Sequence, residues 1–127
     1  MKNSNKSPLN VSRVSSGRAG EAAAALFLEE KGMRILEKNF RSHSGEVDII
    51  AIDGEVIVFV EVKSWSIYGI DSLEQALNAK KQHKIIETSK YFLSLHREYR
   101  YMAVRFDVIF VSPEGITHLA SAFMECV

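Results

Sequence analysis

From Gly45 to Lys63 the chain reads GEVDIIAIDGEVIVFVEVK, a run of β-branched and aromatic positions broken once by Asp53-Gly54. Strand-forming residues on both sides of an Asp-Gly pair predict a hairpin with strands over 46–52 and 55–63. With Asp53 and Gly54 as the loop, Ile52 faces Glu55, Ile50 faces Ile57, Asp48 faces Phe59 and Glu46 faces Glu61. Alternation then gathers Glu46, Asp48, Glu61 and Lys63 on one face. The other face carries only Val47, Ile49, Ala51, Val56, Val58, Val60 and Val62.

The flanking patterns supply the remaining elements. Ser16 can cap a helix over 17–31 that Gly32 closes, and the unbroken apolar run from Ala22 to Leu28 predicts cover on most sides. A first strand follows over 33–41. Ser72 with Gln75 forms a capping box, opening a helix that runs to about residue 96. Alternation over 105–111 gives a buried strand, in which Asp107 interrupts one face as the expected partner of an arginine, Arg105 or another. Pro113-Glu114-Gly115 turns the chain into a last strand over 116–120. Helix, three-strand meander, long helix and two strands together predict an α/β/α sandwich with a mixed central sheet.

The acidic face of the hairpin carries a cost. Glu46 and Glu61 would stand about 5 Å apart at Cβ, with Asp48 diagonal to Glu61, and like charges so placed repel. Lys63 offsets one of them. A hard divalent cation on Asp48 and Glu61 would offset more, since Mg²⁺ is commonly held by one or two carboxylates and keeps waters that a phosphate can displace. Spacing alone leaves two readings side by side: a metal site, or a polar strand face whose acids meet water.

At 127 residues, one domain is expected at 17–127, preceded by a disordered Ser-, Asn- and Lys-rich arm at 1–16. A single cysteine, Cys126, excludes an internal disulfide and a cysteine-based metal cluster. The start of the chain lacks the apolar segment of a signal peptide and no run suits a membrane span, so a cytoplasmic location without membrane partners is expected. Sixteen basic residues balance sixteen acidic ones, which weighs against a nonspecific nucleic-acid coat. It leaves room for a basic groove beside an acidic metal site.

GEVDIIA, a short turn and VFVEVKS resemble the D-x(n)-E-x-K core of the PD-(D/E)XK nuclease superfamily, whose members share the restriction-endonuclease-like fold. GRAGEAAAALFLEEKGMRILEKNFR before that core, AKKQ after it and RFDVIFV near the C-terminus are similar to the bacterial YraN-like family, a relation of the archaeal Holliday junction resolvases. The likeness covers most of 17–123. It implies a Mg²⁺- or Mn²⁺-dependent endonuclease acting on nucleic acid, with DNA the expected partner and branched or junction DNA one candidate substrate, while the choice of substrate is left open. A noncatalytic nucleic-acid-binding module of the same fold is the alternative.

By the same resemblance Asp48, Glu61 and Glu21 supply the metal site, Lys63 completes the catalytic set, and the Val62 carbonyl assists. Glu46 is an accessory acid. Lys81 and Gln82 match the family's lysine-glutamine pair and are assigned to phosphate contact with Lys80 and Lys84, Gln75 being a weaker candidate. Trp65 stands where the family more often has arginine; two readings stay open, stacking on an unpaired base in place of a phosphate contact, or a tryptophan that packs in the interior or at an interface. His43 reads as a solvated polar residue of a turn, whereas His83 joins Lys80, Lys81 and Lys84 in the basic cluster beside the site. Symmetrical cutting of a junction would call for a homodimer, with the apolar tail around Phe123 as its surface.

Overall fold

The computed structural model describes residues 12–64 and 78–125, with side chains described from residue 19 onward. Trp65, the Ser72-Gln75 capping box and Cys126 lie outside the described residues. Helix α1 spans Ser12–Glu30, strands β1, β2 and β3 span Arg34–Ser42, Gly45–Asp53 and Val56–Ser64, and helix α2 spans Ala79–Leu95. A 3-10 turn at Arg97–Tyr99 leads to β4 at Ala103–Ser112 and β5 at Gly115–Phe123.

The five strands form one sheet in chain order. Every neighbouring pair is antiparallel except β3 with β4, whose connection carries α2, so the sheet is mixed as expected. On one face Ala24, Ala25 and Leu28 of α1 pack against Ile49, Ala51, Val58, Val60 and Ile109. On the other, Ile85, Ile86 and Phe92 of α2 pack against Ile50, Ile57, Phe59 and Phe106. Helices on both faces give the α/β/α sandwich. They also explain why Ile57 to Val60 are buried in sequence: a central strand covered twice is apolar on both sides.

Four local expectations are corrected. The hairpin loop is Gly54-Glu55, so Ile52 pairs with Ile57 and Ile50 with Phe59, a shift of two residues from the Asp53-Gly54 register. Gly54 has φ +62° and stands first in the loop, where a II′ turn wants glycine; Asp53 belongs to the strand and receives Arg105 Nη1 at 3.0 Å. A shift of two preserves parity, so Glu61 and Lys63 keep the face of Phe59. The level continuing beyond Ile49 opposite Val60 belongs to Asp48 with Glu61 rather than Glu46 with Glu61.

Strict alternation also fails in β2. Val47 packs with Phe40 and Ile50 on the α2 side, whereas Ile49 packs on the α1 side. Two residues, Asp48 and Ile49, therefore stand between neighbours of like facing.

Helix α1 starts at Ser12, within the stretch assigned to the disordered arm, so Ser16 is not its cap. Its end follows expectation. Gly32, at φ +96°, lets its N–H bond Glu29 C=O at 2.9 Å while Met33 N–H reaches Leu28 C=O at 3.0 Å, a Schellman closure. Leu26 is exposed, so one face of the Ala22 to Leu28 run meets water.

Helix α2 begins after Asn78, whose extended backbone breaks the single helix expected over 72–96. Asn78 Oδ1 accepts the Lys81 N–H at 2.9 Å and is the N-cap of this helix.

Asp107 is fully buried at a shift of register between β4 and β5. Arg105 Nε and Nη2 donate to its two oxygens at 2.9 and 3.1 Å, confirming the expected arginine partner. His118 Nε2 at 2.7 Å and the Ser121 N–H at 3.0 Å complete the set. Lys31 Nζ lies 3.1 Å from His118 Nδ1. An ammonium only donates, so Nδ1 accepts and Nε2 carries the proton given to Asp107.

Candidate functional site

Pairing between β2 and β3 runs from Asp53 with Val56 to Ile49 with Val60. Beyond it the Val62 N–H donates to Asp48 Oδ2 at 2.8 Å, a side chain taking the place of a ladder carbonyl. This bond anchors the carboxylate of Asp48 between the two strands, level with Glu61. Two glycines bring the helices to this end of the sheet. A Cβ on Gly20 would meet Ser64 Oγ at 3.1 Å, and one on Gly45 would meet Lys84 Cβ at 3.2 Å. Their lack of side chains lets α1 approach the end of β3 and α2 approach the start of β2. Ser42 Oγ, 3.0 Å from Thr88 Oγ1, ties the β1–β2 turn to α2.

The result is a cleft of about 220 Å³ lined by Gly45, Glu46, Asp48, Glu61, Lys81, Lys84 and Ile85. Glu61 is the most engaged acid. Its Oε2 lies 3.4 Å from Lys63 Nζ and 3.5 Å from Lys81 Nζ, and its side chain is only 11% exposed. Glu46 leans outward to Arg41 Nε at 3.7 Å.

Burial raises the Asp48 carboxyl to about 7, and the charge of Glu61 adds to it; the Val62 N–H opposes the rise, while Glu21 and Glu46 reinforce it. Glu21 thus acts on Asp48 from α1, the opposite layer to the lysines. Burial and the adjacent Lys63 hold the Lys81 amine below the ordinary lysine range. Burial presses Lys63 the same way, but the Glu61 carboxylate beside it outweighs that and leaves it raised.

Of the expected residues, Asp48, Glu61, Lys63 and Lys81 are brought together, with Glu46 and Lys84 at the cleft wall. Lys80 and His83 are exposed on α2, His43 is exposed at the β1–β2 turn, and Gln82 is half-buried. Trp65 and Gln75 fall outside the described residues. Among the described residues no three His, Cys, Asp or Glu side chains gather into a ready metal-binding group, and Glu21 is tied to the site by the effect of its charge on Asp48. Two carboxylates remain, a donor set that suits an ion keeping several waters rather than a closed cage. Gly20, Gly45, Arg41 and Asn78 were missed as site-builders. The glycines beside Glu21 and Glu46 were visible in sequence, but their role depends on which helix comes close.

No helix among the described residues is long and apolar enough to cross a membrane. The profile of the Uncharacterised protein family UPF0102 matches residues 20–111, which contain Glu21, Asp48, Glu61, Lys63 and Lys81. A UPF0102 protein of Treponema denticola is 41% identical over 124 residues, covering 87% of this chain and 95% of its own. One from Persephonella marina is 44% identical over 107 residues, covering 84% and 91%. Another, from Syntrophus aciditrophicus, is 50% identical over 103 residues, covering 78% and 79%. With a family profile across most of its length and relatives matched nearly end to end, the chain belongs to the UPF0102 family.

Proposed function

We propose that this UPF0102 protein is a metal-dependent endonuclease that hydrolyses phosphodiester bonds in nucleic acid, DNA in the first instance. The observation that carries the reading is the meeting of Asp48, Glu61 and Lys63 at one end of the sheet, in the D-E-x-K pattern of the PD-(D/E)XK nucleases. The donor set fits a cation. A carboxyl raised to about 7 by burial and by Glu61 is one whose ionisation costs free energy until positive charge arrives.

Asp48 and Glu61 would hold Mg²⁺ or Mn²⁺, with the Val62 carbonyl as a further donor and Glu21 acting through its charge. When bound, the ion supplies positive charge against the scissile phosphate and acidifies a water. Lys63 donates to that water or to the phosphate oxygens as negative charge develops on them. Lys81 and Lys84 on the cleft wall, with Lys80 and Gln82 beside them, meet the backbone phosphates. Water adds to phosphorus, the ester oxygen leaves with a proton, and the strand is cut. Cutting a symmetric junction would require two copies.

A second reading is favoured by the ion pairs. Two ammonium groups already neutralise Glu61, as in a nucleic-acid-binding module that needs no metal. Incubation of purified protein with flap, four-way-junction and single-stranded DNA, with and without Mg²⁺ or Mn²⁺, separates the two. Cleavage that needs the metal and disappears in Asp48→Ala supports the nuclease. Binding without cleavage under all conditions supports the module.

A further inference from the structure

Two ammonium groups from different elements converge on one carboxylate oxygen, Oε2 of Glu61. One unit of positive charge balances one carboxylate, so the second ammonium is held against repulsion from the first. The lysines differ in their freedom to leave. Lys63 extends from β3 two residues after Glu61 and on the same face, so the strand that carries the acid carries it too. Lys81 arrives from the first turn of α2, its side chain 40% exposed against 30% for Lys63. Its backbone N–H is fixed to the Asn78 cap, so only the four-carbon stem has to swing.

We propose that Lys81 is a placeholder cation: its ammonium holds Glu61 in the metal-free protein, gives way when a divalent cation takes that carboxylate, and turns to a phosphate of the polynucleotide in the same cleft. The inference rests on the metal-dependent reading above. Its consequence is that metal uptake and phosphate recognition are coupled through one side chain, each favouring the other. Lys84 lines the same cleft without pairing with Glu61 and measures what a nearby charge does alone.

The test is calorimetric titration of the full chain with MnCl₂ in the wild type, Lys81→Met and Lys84→Met, with folding checked by circular dichroism. Methionine keeps most of the apolar stem of lysine and removes the charge. Lys81→Met is expected to bind Mn²⁺ about tenfold more tightly than wild type, and Lys84→Met to change by less than about threefold. In protein carrying ¹³C-lysine, saturating Mg²⁺ is expected to move the Lys81 ε-methylene resonance toward that of an unpaired lysine. Equal affinities in the two variants, or a Lys81 resonance unmoved by Mg²⁺, overturn the placeholder role while leaving the metal site standing. A wild-type protein that takes up no Mn²⁺ overturns both.

Discussion

The backbone N–H of Val62 donates to the carboxylate of Asp48 at 2.8 Å, so an acid on one strand is held by the backbone of the next strand beside Glu61. The bond fixes Asp48 where burial and Glu61 make its charge costly.

That cost gives a stability prediction. The Asp48 carboxyl is raised to about 7 in the folded protein from an ordinary value of 3.8. Its ionisation is therefore harder in the native than in the unfolded chain. The sign follows: the native state gains stability as pH falls from about 7 toward 4, and loses it as pH rises through that window. Asp48→Asn keeps an acceptor for the Val62 N–H but carries no charge. It is expected to be more stable than wild type at pH 8 by on the order of 2 kcal/mol and nearly equal at pH 4. Thermal unfolding across that range checks it. Mn²⁺ should raise the wild-type midpoint and leave the variant unmoved, since a ligand stabilises only a state that binds it.

Lys63→Met addresses the chemistry rather than the metal. Loss of one preorganised donor toward developing charge commonly costs about a hundredfold to a thousandfold in rate. Single-turnover cleavage should fall by that much, while Mn²⁺ affinity stays equal or rises because a competing ammonium has gone from Glu61.

Asp107 titrates in the opposite sense. Burial works to raise it, but hydrogen bonds from Arg105, His118 and the Ser121 N–H outweigh burial and lower it. A depressed carboxyl contributes stability that is fully present above its unfolded value and is lost as pH falls through the folded one, so Asp107 strengthens the protein above about pH 4 and ceases to do so in stronger acid. Asp107→Ala strands His118 and the Ser121 N–H and leaves Arg105 with Asp53 alone. About 3 kcal/mol of destabilisation at pH 7 is expected, and chemical denaturation measures it.

Gly45→Ala tests how the helix reaches the cleft. The added Cβ would stand 3.2 Å from Lys84 Cβ, tighter than ordinary packing, and 3.5 Å from Thr88 Oγ1, an ordinary contact. The helix must yield by a few tenths of an ångström. A loss of about 1 kcal/mol in stability is expected, together with weaker DNA binding because Lys84 and Lys81 ride on that helix.

The layer order, the mixed sheet and the common face of Glu61 and Lys63 were legible because they depend only on parity and on apolar runs. A register error of two residues leaves the parity of β3 intact, which is why the wrong loop still set Glu61 and Lys63 side by side. The placing of Asp48 level with Glu61 was not legible, since Asp-Gly suits either side of a turn and the positive φ of Gly54 with Arg105 on Asp53 marks the loop as Gly54-Glu55. Nor was the facing of Val47, where β2 departs from alternation. The cap at Asn78 was not legible because an asparagine beside an alanine and two lysines carries no capping-box signature. Lys81 on Glu61 depends on the placement of α2, which no local pattern carries.

The central claim is that Asp48 and Glu61 share one divalent cation, and the most direct measurement is diffraction from crystals soaked in MnCl₂, recorded at the manganese absorption edge. A single anomalous peak within ligand distance of a carboxylate oxygen of each residue, absent from Asp48→Ala crystals, is the predicted result. Crystals that show manganese elsewhere or nowhere, with Lys63 and Lys81 still seated on Glu61, would contradict it.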